Sequence, residues 1–233
     1  MEILAKDLKQ VVVFQHATDN DLNLILQNSI TRSIEESGFF FHQGDDAKFL
    51  YILTSGQVKL MQSNPNGQQV NLRTIAAWQM FGALGIAQSD GATYPAAAQT
   101  LEDSTALAIQ STFMRSMMET RPYLAFDLMN LMTAYIQEMQ ARYRELATEK
   151  VEQRVANALI RLAGQTGTKV GKEAGILLSF SRQDVAEMTG STLYTVSRLL
   201  SEWERQGFIK TGREKITILK PHDLVRIADR LEK

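Results

Sequence analysis

Between Pro122 and Gly164 the chain carries neither glycine nor proline. Apolar residues recur through the first part of this run at Leu124, Leu128, Leu131, Met132, Tyr135, Ile136, Met139, Tyr143 and Leu146. Both helix breakers are absent and the spacing is close to a 3.5–3.6 repeat, so residues 122–147 predict one helix of about 25 residues. That is well beyond the ~11–12 of an ordinary globular helix. Pro122 suits its first turn, where no backbone N–H is needed. So much apolar surface exceeds what one small domain can cover. One stripe is expected against a neighbouring β unit. A second, read as Leu124, Leu128, Leu131, Tyr135 and Met139, is expected to pair with another copy of the chain in a parallel homodimer.

On the N-terminal side, residues 19–31 read as a short amphipathic helix in which Leu22, Leu24, Ile25 and Leu26 cluster. From Ser37 the texture changes. "GFFFHQGD", "KFLYILTSGQVKLMQ", "QQVNLRTI" and "TALAIQ" are short runs rich in aromatic and β-branched residues, separated by Gly, Asn, Asp, Ser and Pro. That pattern marks an antiparallel all-β unit built of hairpins. Gly56, Gly67, Gly82 and Gly85 are expected at positive φ or at close backbone approaches. On the C-terminal side, Thr148 is expected to cap a new helix containing Val151, Val155, Leu159 and Leu162. The division is therefore 1–121, 122–147 and 148–233, with no internal repeat.

Composition removes several functions. The chain has no cysteine, which excludes disulfides, thiolate-held iron–sulfur clusters and thiol redox sensing. Its histidines are His16, His42 and His222, none at a metal-ligand spacing from another, so no metal site is expected. An enzyme using the β unit as a metal-holding barrel would need clustered ligands there, and that segment offers only His42. No apolar run reaches the ~18–20 residues of a membrane span, and the N-terminus lacks a basic-then-apolar leader, so a cytoplasmic protein is expected. Charge is uneven. Residues 1–147 carry 10 basic and 15 acidic side chains, and residues 148–233 carry 15 basic and 11 acidic. A basic C-terminal domain points to an anionic partner.

Within that domain, Ser181 and Asp184 form a capping box that opens a short helix, which Gly190 ends. Ser191 or Thr192 can cap the next helix, which runs to about Gln206 and stops at Gly207. The spacing of Ala186, Gly190 and Val196 fits a helix-turn-helix: a small residue at the crossing, glycine in the turn, a buried aliphatic locking the second helix. On that helix Val196, Leu199, Leu200 and Trp203 share one face, and Tyr194, Ser197, Arg198 and Ser201 lie opposite. The polar face suits base edges: arginine bonds guanine bidentately, serine serves several bases, and tyrosine touches a thymine methyl or a phosphate. Thr192 and Leu193, at the helix start, join Tyr194, Ser197 and Arg198 as candidate base contacts. After Gly207, "FIKTGREKITILKP" reads as a basic hairpin. Its Lys210, Arg213 and Lys215, with Ser181, Arg182 and Gln183 at the first helix, are candidate phosphate contacts. The expected partner is thus double-stranded DNA, the rival reading being a helix-turn-helix that binds protein.

"FSRQDVAEMTGSTLYTVSRLLSEWERQGFI", "FLYILTSGQVKLMQSNPNGQQVNL" and "MFGALGIAQSDGATYPAAAQT" resemble the helix-turn-helix and β-roll segments of the Crp/Fnr family of bacterial transcription regulators. The resemblance spans nearly the whole chain. It implies an α+β fold: an N-terminal antiparallel β-roll (double-stranded β-helix), a long dimerisation helix and a C-terminal winged helix-turn-helix. It further implies a homodimer on a near-palindromic operator, not an enzyme, with RNA polymerase as a further candidate partner. The effector pocket would involve Gly82, Ala83, Leu84, Gly85, Tyr94, Pro95, Met139 and Gln140. Members that bind cyclic AMP place a glutamate after the first glycine and an Arg-Ser pair downstream, whereas this chain has Ala83 and Tyr94-Pro95. Cyclic AMP is therefore not the expected effector. A haem, another small apolar ligand, or no effector are the alternatives. The recognition helix departs too: Leu193-Tyr194 replaces an Arg-Glu pair that is frequent in the family.

Overall fold

Two 3-10 turns, Ala5–Gln10 and Val12–Phe14, precede helix α1 (Asp19–Gln27). The computed structural model describes residues 3–64, 69–87, 91–170 and 175–229. The expected helix over 19–31 ends early. Ser29–Ile34 forms strand β1 instead, at the edge of a sheet, where Ile30 and Thr31 have the β-branched shape that a pleated surface favours. Strands β2 (Phe39–Phe41), β3 (Phe49–Ser55), β4 (Val58–Ser63), β5 (Gln69–Ile75), β6 (Met80–Phe81), β7 (Ala97–Thr100) and β8 (Ser104–Gln110) follow, with the one-turn helix α2 (Leu84–Ala87) between β6 and β7. They form two antiparallel sheets, ordered β1-β8-β3-β6 and β2-β7-β4-β5. Gly67, expected in a tight turn, lies outside the described residues. Gly56 and Gly82 take positive φ, and a Cβ on Gly85 would stand 2.0 Å from the Ala47 carbonyl oxygen.

Strand β3 explains the layering. Its side chains alternate across the sheet, yet Leu50, Tyr51, Ile52 and Leu53 are all buried because both faces are covered. Leu50 and Ile52 point to one cluster with Leu107 and Ile109 of β8, Phe14, Leu22, Ile25 and Met114. Tyr51 and Leu53 point to the other, inside the roll, with Phe40, Phe41, Phe81 and Tyr94. The first cluster is closed by α3 (Ser111–Thr120) and by the start of α4 (Pro122–Thr148), to which Leu124 contributes. As expected, Pro122 opens this helix, which runs 27 residues without a break.

The two apolar stripes of α4 are exchanged relative to expectation. Leu124 is fully buried, Leu128 and Leu131 pack against the same internal cluster, and Tyr135 lies beneath the Arg73 guanidinium. Of the five residues read as an intermolecular seam, only Met139 faces water. The apolar side chains left exposed are Phe126, Met129, Ile136, Met139, Tyr143 and Leu146. Both stripes have helical spacing, so the sequence carries their period without showing which one the β unit claims.

By its contacts the chain divides mainly within α4, between Met139 and Gln140. In the second unit, α5 (Val151–Thr166) buries Val155, Leu159 and Leu162. Thr148 does not cap it. As the last residue of α4, Thr148 donates its hydroxyl to the Arg144 carbonyl (2.9 Å), and Lys150 occupies the cap position. β9 (Thr168–Val170), β10 (Gly175–Leu178), α6 (Arg182–Thr189), α7 (Leu193–Arg205), β11 (Ile209–Gly212), β12 (Lys215–Ile218) and α8 (Pro221–Ala228) complete it. Its sheet runs β11-β12-β10-β9.

One polar cluster ties α1 to the α3–α4 junction. Thr18 caps α1 by accepting from Asp21 N (3.2 Å), and the Asp21 carboxylate accepts from Thr18 N (3.1 Å), Arg121 and Tyr123. Burial disfavours this carboxylate, but hydrogen bonds from Thr18, Tyr123 and Arg121 outweigh it and hold its pKa far below the ordinary value. A depressed carboxylate stabilises the fold above its unfolded pKa and loses that contribution as pH falls toward the folded one. Asp21→Asn should therefore cost about 1–3 kcal/mol at pH 7. In urea unfolding, the gap to the unmodified chain should narrow progressively below about pH 4. A gap independent of pH would show that the charge contributes nothing.

Candidate nucleic-acid interface

Ser181 caps α6: Asp184 N donates to its Oγ (3.1 Å), and the Asp184 carboxylate accepts from Ser181 N (2.9 Å) and Oγ (2.6 Å). Gly190 ends the helix at φ +59, a conformation that costs L-residues, with their Cβ, more than glycine. Thr192, not Ser191, caps α7, accepting from Thr195 N at 3.2 Å. Val196, Leu200 and Trp203 are buried, so the opposite face of α7 is turned to solvent. On it stand Tyr194 and Arg198, both exposed, and Ser197, half-buried; Leu193, also exposed, lies at the helix start. Tyr194 is 79% exposed, a large aromatic held in water on a rigid helix. Tyr194 and Arg198, four residues apart, are neighbours on one surface. The structure thus brings together the five residues read as base contacts.

The wing is the β11–β12 hairpin, closed by the two-residue turn Arg213-Glu214 between the paired Gly212 and Lys215. Lys210, Arg213 and Lys215 are exposed along it. Two of the residues assigned to phosphates have internal work. The Ser181 hydroxyl belongs to the cap, and Arg182 Nη2 donates to Thr211 Oγ1 of the wing (3.0 Å). Gln183 is exposed and donates to Glu187 (2.9 Å).

Two positioning residues escaped the sequence reading. Arg154 of α5 donates to the Thr189 carbonyl (3.1 Å) and to Ser191 Oγ (3.4 Å), gripping the turn between α6 and α7. Glu204 of α7 accepts from Thr211 N (2.7 Å) and Oγ1 (2.8 Å), fixing the wing to the recognition helix. These hydrogen bonds, backbone first, lower the Glu204 pKa. Neither residue belongs to a local motif. The pairs span seven to 37 residues, and only the fold joins them.

The pocket candidates of the β-roll scatter. Gly82 lies inside the roll: a Cβ there would meet ring atoms of Phe41, Tyr51 and Tyr94 at 3.2–3.3 Å. Tyr94 is buried, its ring stacked on Phe41 with centroids 3.7 Å apart. Its hydroxyl donates to the Phe49 carbonyl (2.5 Å) and accepts from Phe49 N (3.2 Å). Tyr51 stacks on Phe81 at 5.1 Å and Phe40 meets Phe81 edge-on at 5.4 Å. The other candidates lie elsewhere. Ala83 packs on the helical cluster outside the roll, Leu84 and Pro95 are exposed, and Gly85 abuts the Ala47 carbonyl. Met139 and Gln140 are exposed on α4. The sequence placed these residues by resemblance alone, which cannot show that aromatic rings fill the interior.

Comparison with known proteins matches this architecture. Residues 31–121 match the cyclic nucleotide-binding domain, and residues 153–227 the Crp-like helix-turn-helix domain. The chain is 26% identical over 210 residues to the anaerobic regulatory protein of Bacillus subtilis, covering 89% of this chain and 87% of that one. It is 26% identical over 188 residues to the CRP-like cAMP-activated global transcriptional regulator of Mycobacterium tuberculosis, covering 81% and 83%. Among solved structures, FixK2 from Bradyrhizobium japonicum shares the fold with a TM-score of 0.73 at 18% identity, over 85% of this chain and 96% of that one. A CRP-family transcriptional regulator from Thermus thermophilus does so with a TM-score of 0.72 at 23% identity, over 85% and 96%. With a cyclic-nucleotide-type roll at residues 31–121 and a Crp-like helix-turn-helix at residues 153–227, the chain belongs to the Crp/Fnr family of transcriptional regulators.

Proposed function

We propose that this regulator acts as a homodimer that reads a near-palindromic operator without cyclic AMP. The observation that carries the reading is the outward face of α7, where Tyr194, Ser197 and Arg198 stand opposite the buried Val196, Leu200 and Trp203. Arg198 reads a guanine, Tyr194 and Leu193 meet a thymine methyl or the sugar–phosphate edge, and Thr192 approaches from the helix start. Lys210, Arg213 and Lys215 of the wing meet phosphates, with Gln183 at the start of α6. Working domains are 1–121 for sensing, 122–147 for dimerisation and 148–233 for DNA. Such a protein works in the cytoplasm, with RNA polymerase as its further partner.

The case against a nucleotide effector rests on Tyr94. It stands where the resemblance places the phosphate-binding arginine, it carries no charge to offer, and its hydroxyl is spent on the Phe49 backbone. The case for a dimer rests on the exposed stripe. Phe126, Met129, Ile136, Met139, Tyr143 and Leu146 line one side of a single helix, and a twin stripe from a second copy matches it in length and chemistry. Replacing Met129 and Ile136 together by Glu should convert a micromolar dimer into a monomer in sedimentation, with helix content retained in circular dichroism. A double variant that stays dimeric assigns the stripe wrongly.

Base and phosphate contacts should separate in titrations. Arg198→Ala should weaken operator binding by about 1–3 kcal/mol, leave binding to random duplex nearly unchanged, and relax the preference at one guanine per half-site. Lys215→Ala should weaken both about equally and reduce the salt slope by about one. Fluorescence titration of both variants on operator and random duplexes at several salt concentrations makes the comparison. If Arg198→Ala leaves the specific-to-random ratio unchanged, α7 does not read bases.

A further inference from the structure

A cavity of about 210 Å³ lies outside the aromatic roll, between the β5–β6 turn, the N-terminal 3-10 turns and the inner face of α4. Its walls include Arg73, Trp78, Met80, Leu131, Tyr135 and Glu138. The guanidinium of Arg73 is the anomaly. The side chain is only 17% exposed, and its Nε and Nη1 are buried with no hydrogen-bond partner. Glu138 comes to 3.7 Å of Nη1, too far for a hydrogen bond, and has a further interaction of its own. The Tyr135 ring lies 3.5 Å from the guanidinium carbon and holds it by its π face. A ring offers a cation attraction but takes none of its N–H groups. Buried N–H groups without acceptors are costly even where a carboxylate pairs with the charge, so this guanidinium favours an acceptor supplied from outside.

The remaining walls say what else the occupant carries. Met80 and Leu131 are apolar, and Trp78 presents an indole. Trp78 takes a left-handed backbone, φ +66, which a bulky residue rarely adopts. The turn enforces it: Trp78 N donates to the Leu53 carbonyl (2.6 Å), and the Gln79 side chain accepts from Ala76 N (3.2 Å). An apolar cavity of roughly 150 Å³ admits one benzene ring, so this space suits a single ring with a small polar group.

We propose that this cavity is a binding site for a small carboxylate with an apolar or aromatic body, its carboxylate on the Arg73 guanidinium and its body against Trp78, Met80 and Leu131. The site is separate from the interior of the roll, whose rings belong to another cluster. It is walled by α4, so an occupant bears on the helix assigned above to dimerisation. That consequence rests on the regulator reading, whereas binding itself does not.

Calorimetry on the full chain, without DNA, tests the proposal with three probes: benzoate, benzamide (the ring without the charge) and acetate (the charge without the ring). Benzoate should bind saturably, one per chain, and about tenfold or more tighter than either control. Arg73→Gln should remove that advantage. Ala134→Trp, at the exposed rim of the cavity, should block benzoate while leaving the cation intact, which separates loss of the site from loss of the fold. No saturable benzoate binding up to about 10 mM overturns the site. So does benzamide binding as well as benzoate, or an Arg73→Gln variant that binds benzoate unchanged. A DNA-binding chain that ignores benzoate would refute this site and leave the regulator reading standing.

Discussion

Burial of Leu124, Leu128 and Leu131 sets the rotation of α4 about its own axis, and the residues on its far side follow from that alone. A helix has no freedom to turn one stripe inward without turning the other outward. Phe126, Met129, Ile136, Met139, Tyr143 and Leu146 are therefore left in water by the same packing that closes the first unit. The helix can meet both demands because no glycine or proline breaks it between Pro122 and Thr148. At about 3.6 residues per turn, a 3.5-type stripe drifts by ~20° per heptad, so two such helices would wrap gently in a left-handed sense.

The two faces of β3 show the same economy. Leu50 and Ile52 serve the helical cluster, and Tyr51 and Leu53 serve the interior of the roll. Aromatic stacking of Phe41 on Tyr94 and Tyr51 on Phe81 fills that interior, and glycine suits position 82 because its φ is +72 and a Cβ would press on three rings at 3.2–3.3 Å. A charged side chain buried here would have to be solvated or paired. Tyr94 avoids that cost by bonding to the Phe49 backbone. Arg73, with Glu138 3.7 Å from its Nη1 and the Tyr135 ring against its face, sits instead beside α4 and outside the roll.

Local chemistry carried most of the architecture into plain view. Pro122, the Ser181–Asp184 box, Gly190 and Gly207 act within a few residues of themselves, so the bounds of α4, α6 and α7 could be read directly. The outward placement of Tyr194 and Arg198 followed from periodicity, since the buried Val196, Leu200 and Trp203 leave one choice. What failed was phase and long range. The two stripes of α4 share a spacing, and only the β unit decides between them. Short strands such as β6 carry too few residues for a pattern. Thr148 looked like a cap, but α4 had not yet ended. Arg154, Glu204 and Arg73 act through partners that no local window contains.

The central claim is that a two-fold dimer presents α7 and its partner to base edges. In vitro selection of a randomised duplex pool by the purified chain tests it with no operator sequence chosen in advance. The selected sequences should converge on an inverted repeat with a guanine in each half-site, the half-site centres one helical turn, about 34–36 Å, apart. Selection that yields no consensus, or a single site without two-fold symmetry, would contradict it.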